Sequence, residues 1–306
     1  MSRFEILQGD CLDVMDLCIA DNSVQTCITS PPYFGLRDYG MAGQLGLENT
    51  PAEYVAKMVE VFRGVRRVLR EDGTLWLNLG DSYATNRGYQ VPSTKGGPKH
   101  SGSQAAGGKG SAVPDGLKPK DLLGVPWRVA FALQADGWYL RQDIVWQKPN
   151  PMPESVRDRC TKAHEYIFLL SKSERYYFDA DAIKEPAQNW GLRDRSNFRN
   201  GTTDLKLKQN GLIGKHDEEN PTRNKRSVWT VTTKPFKGAH FATFPIALIE
   251  PCVLAGSKPG DTVLDPFGGA GTTALAAMKH GRNAVLCELN PEYIEIARAR
   301  IEAATQ

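Results

Sequence analysis

Four residues near the start of the chain, Ser30-Pro31-Pro32-Tyr33, have the types and spacing for chemistry. They follow an apolar run, Val24–Thr29, that reads as a buried strand. Two prolines cannot continue a ladder, because each lacks an N–H and holds φ near about −65°. The chain must therefore leave the strand in a rigid, extended turn. Its carbonyls and the Ser30 hydroxyl then point away from any ladder, beside the flat ring of Tyr33. A planar group bearing an amine, such as the exocyclic amine of a nucleobase, matches that set: acceptors for its N–H bonds and a ring for its face. For the tetrapeptide taken alone, a proline loop with a packed tyrosine accounts for the same residues.

A second stretch, Asp265-Pro266-Phe267-Gly268-Gly269-Ala270-Gly271-Thr272-Thr273, lies between a strand-like run at 262–264 and a helix-like run at 274–280. Strand, glycine-rich turn and helix make a nucleotide-type site, because glycine lets backbone approach a ligand. Glu288 stands seventeen positions after Gly271 and closes the apolar run 284–287. An acid at that place can take ribose hydroxyls. The run Gly269-Ala270-Gly271-Thr272-Thr273-Ala274 also satisfies the dinucleotide fingerprint Gly-x-Gly-x-x-Ala, which keeps an NAD-binding oxidoreductase as a rival reading. Only 35 residues follow Gly271, so the second half of a dinucleotide fold would have to come from upstream.

Together the two stretches resemble the S-adenosylmethionine-dependent DNA amino-methyltransferases. That family carries a Ser/Asp/Asn-Pro-Pro-aromatic catalytic motif and a Phe-x-Gly-x-Gly cofactor motif. Here the catalytic motif comes first, which looks like the family's permuted, beta-type order, and the resemblance covers most of the chain outside about 86–120 and 183–238. It implies an α/β fold of the Rossmann-like class I methyltransferase type, a doubly wound and mostly parallel sheet with inserted loops and a small target-recognition region. It also implies S-adenosyl-L-methionine as cofactor and base flipping on double-stranded DNA. A cognate restriction endonuclease and a second copy of the chain are open as partners, and the place of action is the cytoplasm, bacterial or that of a phage host.

On this resemblance Ser30, Pro31, Pro32 and Tyr33 form the catalytic turn. Asp10, Phe244, Pro245, Asp265, Phe267, Gly269, Gly271, Thr272, Thr273 and Glu288 form the cofactor site. Asp10 has a second reading, as a cap for the helix that follows it. Lys148 and Asn150, in a Trp-x-Lys-Pro-Asn stretch similar to the family's late catalytic strands, are candidates to touch the flipped base or its phosphate. Serine in the first motif position is commoner in members acting on cytosine N4, so that amine is the expected target, with adenine N6 as the alternative. Cytosine C5 chemistry needs a cysteine nucleophile. The single Pro-Cys pair, Pro251-Cys252, sits inside an apolar helical pattern unsuited to that role.

The elements that must position these residues follow from periodicity. Residues 4–8 alternate and read as a strand. Pro51 opens a helix whose Tyr54, Met58, Val61, Phe62, Val65 and Leu69 recur on one core face, read as carrying no chemistry. Glu71-Asp72-Gly73 is expected to end that helix before a buried strand at 74–79. Phe34 to Asn49 reads as a glycine-rich loop able to close over a substrate. Further strands are expected at 138–146 and 164–170, and Asn290-Pro291 starts a last helix.

With 306 residues, 41% hydrophobic and 24% charged, the chain suits one large α/β domain with an insertion. The expected division is a catalytic domain at 1–182 and 239–306, with a mobile basic loop at about 86–120, and a recognition region at 183–238. Net charge is +3, unevenly spread: residues 183–240 carry a surplus of six positive charges and 85–120 a surplus of five, leaving the rest at −8. Such basic segments on an acidic body suit a polyanion. The six cysteines include no Cys-x-x-Cys pair, so neither a structural zinc nor a disulfide framework is expected. No signal peptide and no membrane-spanning run is read.

Overall fold

The computed structural model describes residues 2–84, 117–187, 222–233 and 243–305. The expected basic loop lies outside the described residues up to position 116, as do 188–221 and 234–242 around the expected recognition region. The chain divides into two compact units, Met1–Phe178 with Ser227–Gln306, and Asp179–Arg226.

The larger unit is built on one eight-stranded sheet. Its strands are β1 (Phe4–Gln8), β2 (Val24–Thr29), β3 (Leu69–Leu79), β4 (Tyr139–Gln147), β5 (His164–Ser171), β8 (Val228–Thr230), β9 (Thr262–Asp265) and β10 (Asn283–Glu288), in the spatial order β1-β10-β9-β2-β3-β5-β4-β8. The first five in that order run parallel. β5 is antiparallel to both its neighbours, and β8 lies parallel to β4. Every residue of β2 is buried, as a strand at the centre of a sheet covered on both faces requires. Helices α1 (Cys11–Cys18), α2 (Pro51–Val68), α3 (Val125–Ala135), α4 (Ile246–Gly256), α5 (Thr272–Lys279) and α6 (Pro291–Thr305) complete the unit.

The chain leaves β2 toward β3 on one side, while β9 leads to β10 on the other. β2 and β9 are therefore the neighbours at which the winding reverses. Crevices outside the carboxyl ends of strands form at such a switch point. The ends of β1, β10, β9 and β2 carry Asp10, Glu288, the glycine-rich turn and the proline turn, so topology alone collects the two motifs from opposite ends of the chain.

One element differs from its expectation. β3 begins at Leu69, directly after α2, and Gly73 lies within it rather than ending the helix. The register against β2 slips between Val24 and Thr26, which face Leu69 and Thr74. A Cβ on Gly73 would stand 2.9 Å from the Arg70 carbonyl and 3.1 Å from that of Gln25. Close backbone approach at this irregularity explains the glycine.

The smaller unit contains a short 3₁₀ turn, Asp181–Ile183, and an antiparallel pair, β6 (Glu185–Pro186) with β7 (Thr222–Arg223). Glu185 accepts hydrogen bonds from both Arg223 and Arg226. Among the described residues no helix is long and apolar enough to cross a membrane.

Candidate active site

The four strand ends enclose a cavity of about 150 Å³. From β1 come Gly9, Asp10 and Cys11; from β2, Ser30 and Pro32; from β9, Pro266, Phe267, Gly269 and Ala270; from β10, Cys287, Glu288, Leu289 and Asn290. The loop after the proline turn adds Tyr39, Met41, Gly43, Gln44 and Leu45, and Tyr293 of α6 and Thr243 complete the wall. Tyr39 meets Tyr293 edge-on at 6.5 Å. That loop is therefore folded as part of the cavity wall. It is held by Gln44, whose Oε1 accepts the Tyr39 N–H at 2.7 Å and whose Nε2 donates to the Arg37 carbonyl.

Two carboxylates face this cavity, and among the described residues that line it there is no Lys, Arg or His. Glu288 takes the Gly269 N–H at 2.7 Å on one oxygen and the Asn290 N–H at 2.8 Å on the other. Burial raises its pKa, and those two N–H bonds work against the rise. Asp10 accepts the Leu12 N–H at 2.8 Å, so it caps α1 and lines the cavity at once.

Six of the expected cofactor residues stand behind the wall. Asp265 is buried and takes hydrogen bonds from Thr29 Oγ1 at 2.6 Å, Thr273 Oγ1 at 2.6 Å and the Phe267 N–H at 3.0 Å. It thus ties the end of β2 to the glycine turn and the start of α5. Its pKa is raised by burial, against these three donors. Thr272 accepts from Arg300 of α6 at 3.0 Å, and Gly271 has φ +75°. A Cβ on Gly271 would lie 3.0 Å from Ile301 and 3.1 Å from Ala297. Left-handed backbone and packing on α6 both favour glycine there. Phe244 and Pro245 are half-buried at the start of α4, and the residue of that segment that reaches the wall is Thr243.

The proline turn has the cavity on one flank and, on the other, a recess of about 20 Å³ lined by Tyr33, Phe34, Leu36, Gly80, Asp81, Ser82 and Val125. A volume of that size holds about one water. The ring of Tyr33 lies against Gly80, where a Cβ would come within 2.5 Å of the ring. Its hydroxyl is 3.3 Å from Ser30 Oγ, 3.1 Å from Asn78 Oδ1 and 2.8 Å from Glu165 Oε2. Burial, then the neighbouring Glu165, raises its pKa well above the usual range. The Pro32 carbonyl accepts the buried Tyr54 hydroxyl at 2.8 Å, so the core face of α2 does act on the site. Among the described residues nothing is hydrogen-bonded to the Pro31 carbonyl.

Three sequence candidates are engaged elsewhere. Lys148 is ion-paired with Glu165 and lies over the Trp146 ring. Asn150 exchanges two hydrogen bonds, each 3.1 Å, with the backbone of Thr233. Cys252 is buried in α4 and does not line the cavity, which agrees with its exclusion as a nucleophile. The reading from sequence missed Thr29, Asn78, Gly80 and the hydroxyl of Tyr54. It also missed Glu165, whose signal was a carboxylate within the otherwise apolar run 165–170.

An α/β sheet with an anionic, partly aromatic cavity at its switch point defines a binder of a cationic nucleoside-type group. Among the described lining residues a pyrophosphate would meet two carboxylates and no cation, which argues against the dinucleotide reading. A family model described as DNA methylase matches residues 24–299, and the chain belongs to this family of N6/N4 DNA methyltransferases. The chain is 47% identical over 298 residues to the type II methyltransferase M.Cfr9I of Citrobacter freundii, covering 97% of this chain and 87% of that one. It is 48% identical over 289 residues to M.SmaI of Serratia marcescens, covering 92% and 85%. Among solved structures it is similar to the PvuII DNA methyltransferase (cytosine-N4-specific), with TM-score 0.66, 19% identity and coverage of 100% and 91%. A putative DNA modification methylase of Thermus thermophilus, TTHA0409, complexed with S-adenosyl-L-methionine, superposes with TM-score 0.61 at 23% identity and coverage of 99% and 94%. The cofactor of this family, S-adenosylmethionine, is a sulfonium cation with ribose hydroxyls and a flat base. The two carboxylates, the aromatic edges and the glycine turn fit it.

Proposed function

We propose that this DNA methyltransferase modifies cytosine at its N4 amine, with the target base extruded from double-stranded DNA toward the proline turn. Glu288 and Asp10 take the polar groups of S-adenosylmethionine, and Phe267, Tyr39 and Tyr293 enclose its flat part, beside the backbone of Gly269. Asp265, Gly271, Thr272 and Thr273 hold that wall in shape. Phe244 and Pro245 set the start of α4 behind Thr243. When bound, the cofactor supplies an activated methyl group with a neutral leaving group, so no metal is required by the chemistry.

The remaining work belongs to the chain. An exocyclic amine is a poor nucleophile because its lone pair is shared with the ring. Acceptors aimed at its hydrogens favour a tetrahedral nitrogen and stabilise the positive charge that develops. Ser30 Oγ and the Pro31 carbonyl are those acceptors. Pro31 and Pro32 fix the turn, and Tyr54 holds it through the Pro32 carbonyl. Tyr33 offers its ring to the base, which requires the recess to open, and the loop at 34–49 is the wall that must shift. Base and methyl group then meet across one turn, and proximity carries much of the rate.

The single observation behind this reading is that Ser30 lines the cationic-ligand cavity while Tyr33, three residues on, lines the recess behind it. Serine at the first motif position favours cytosine N4 over adenine N6. The basic segments at 86–120 and 183–238 contact phosphates, the latter as the target-recognition region. The protein acts in the cytoplasm beside a cognate restriction endonuclease, and a homodimer is compatible with this role.

The test is direct. The protein is incubated with DNA and isotopically labelled S-adenosylmethionine, the DNA is digested to nucleosides, and the labelled nucleoside is identified by mass spectrometry. Label in N4-methylcytosine is expected. Label in N6-methyladenine overturns the target assignment, and no transfer to DNA overturns the whole reading.

A further inference from the structure

Methyl transfer to a neutral amine releases a proton, and the catalytic turn has a route for it. Glu165 comes from β5, with its side chain 16% exposed. One of its oxygens pairs with Lys148, just after β4, and the other accepts the Tyr33 hydroxyl at 2.8 Å and, more weakly, Asn78 Nδ2 at 3.3 Å. Tyr33 is in turn the acceptor for the Ser30 hydroxyl. The 3.3 Å between them is long, and such contacts tighten when a substrate is engaged.

Proton counting separates this cluster from a simple brace. Tyr33 has one proton and two acceptors within reach, Glu165 Oε2 and Asn78 Oδ1. The orientation of Asn78 is fixed by its Nδ2 donating to the Tyr166 carbonyl at 3.0 Å. With Glu165 ionised, the Tyr33 proton goes to the nearer, charged oxygen, and Asn78 Oδ1 receives nothing from it. With Glu165 protonated, Glu165 donates to Tyr33 and the Tyr33 proton turns to Asn78. The network thus accommodates both protonation states, with an acceptor in place for the state after proton uptake.

We propose that Glu165 is the terminal proton acceptor of the methyl transfer, reached from the target amine through Ser30 and Tyr33. This rests on the placement of Ser30 at the target amine given above. The nitrogen lone pair forms the new N–C bond, and the S–C electron pair leaves with sulfur. One amine proton passes to Ser30 Oγ as the Ser30 proton moves to Tyr33 and the Tyr33 proton to Glu165 Oε2. A cationic sulfonium, a neutral amine and a carboxylate become a neutral thioether, a methylated amine and a carboxylic acid. Once its lone pair is no longer shared with the ring, the alkylated nitrogen is a strong acid and gives up its proton readily. Glu165 does not touch the substrate; it acts through Tyr33.

The groups facing Glu165 are Lys148 from just after β4, Tyr33 from the turn and Asn78 from β3, with Lys162 from the segment before β5 within electrostatic reach. Single-turnover methylation is measured against pH for the whole protein and for Glu165→Gln, Tyr33→Phe, their combination, Glu165→Asp and Ser30→Ala. Melting temperature and calorimetric S-adenosylmethionine affinity are followed in parallel. Glu165→Gln and Tyr33→Phe should each slow the chemical step about 100-fold, the low end of a general-base contribution. The double variant should be no slower than either, because both cut one relay. Glu165→Gln should respond to pH differently from the parent, because only the parent has a carboxylate at the end of the relay. Glu165→Asp should recover part of the rate, and cofactor affinity should move by no more than a few-fold throughout, since no relay member is assigned to the cofactor.

Parent-like turnover in either single variant, or losses that multiply in the double, overturns the relay. If Glu165→Gln does not fold, Tyr33→Phe decides alone, since it removes only the hydroxyl. Parent-like turnover in Ser30→Ala overturns instead the placement of the chemistry at this turn. The two failures are thereby distinct.

Discussion

The proline turn after β2 and the glycine turn after β9 are neighbours in the sheet and solve the same problem by opposite means. Each must carry backbone out of a buried parallel strand into a fixed, non-repeating shape. The glycine turn uses φ values of +49° at Gly269 and +75° at Gly271 that side chains disfavour, and it is stapled through Asp265 and Glu288. The proline turn uses rings that permit one φ, and it is held from outside by the hydroxyl of Tyr54 and the Tyr33 network. The first is a shape that depends on absent side chains. The second depends on present ones, and its polar groups remain directed at chemistry. The difference teaches that damage to the glycine turn should read out as stability and cofactor binding, and damage to the proline turn as rate.

The sharpest contrast is expected from Ser30→Ala. Turnover should fall by about 10²–10³, the usual loss on removing one preorganised partner of a developing charge. Cofactor affinity by calorimetry should move by no more than a few-fold, and DNA affinity should survive because phosphate contacts dominate it. A variant that loses cofactor binding while keeping its saturated rate would merge the two turns into one site and break the comparison.

Gly271→Val should do the reverse. The new side chain meets Ile301 and Ala297 from a left-handed backbone, so the folded state should lose about 3 kcal/mol, combining overpacking with backbone strain. Cofactor affinity should fall because the wall moves, and the loss should show in thermal melts as well as in calorimetry. Unchanged melting with abolished binding would instead return Gly271 to direct ligand contact.

A smaller effect belongs to Glu288. Its replacement by alanine should weaken cofactor binding by about 1.5–3 kcal/mol, the range for hydrogen bonds to a charged group. Because burial raises its pKa above 4.5, the carboxylate is lost at a higher pH than an exposed glutamate would be. Affinity should therefore decline with falling pH from above 4.5, and Glu288→Gln should remove that decline. The sign for folding is opposite: a carboxylate with a raised folded pKa costs stability as pH climbs through the window above its unfolded value. An affinity flat with pH in the parent would place Glu288 off the ligand.

The smallest expected effect is that of Tyr54→Phe, which deletes one hydrogen bond to the Pro32 carbonyl. It should cost about 1 kcal/mol of stability in denaturant titration and lower turnover only a few-fold. A loss as large as that of Ser30→Ala would mean that the prolines alone do not hold the turn.

By itself the sequence determined the elements and the two turns. The burial of Val24–Thr29, the stop at Pro31-Pro32, the strand-turn-helix around Gly271 and the acid at Glu288 all rest on local rules of φ, periodicity and missing N–H groups, which act within a few residues. Family resemblance added the doubly wound, mostly parallel sheet. Local rules do not say which side chain of a motif faces a ligand and which faces the protein. Asp265 and Thr273 look like cofactor residues in sequence, and only the adjacency of β2 and β9 turns them toward Thr29 as a brace. Lys148 and Asn150 look free to meet a nucleotide, and the pairings of β4 with β5 and β8 give them Glu165 and Thr233 instead. Tyr54, Asn78 and Glu165 read as ordinary members of a helix and two strands. They become part of the site because the packing of the sheet and its helices places α2, β3 and β5 around one proline turn, and contacts between residues so far apart in the chain, 132 positions for Tyr33 and Glu165, depend on the tertiary fold.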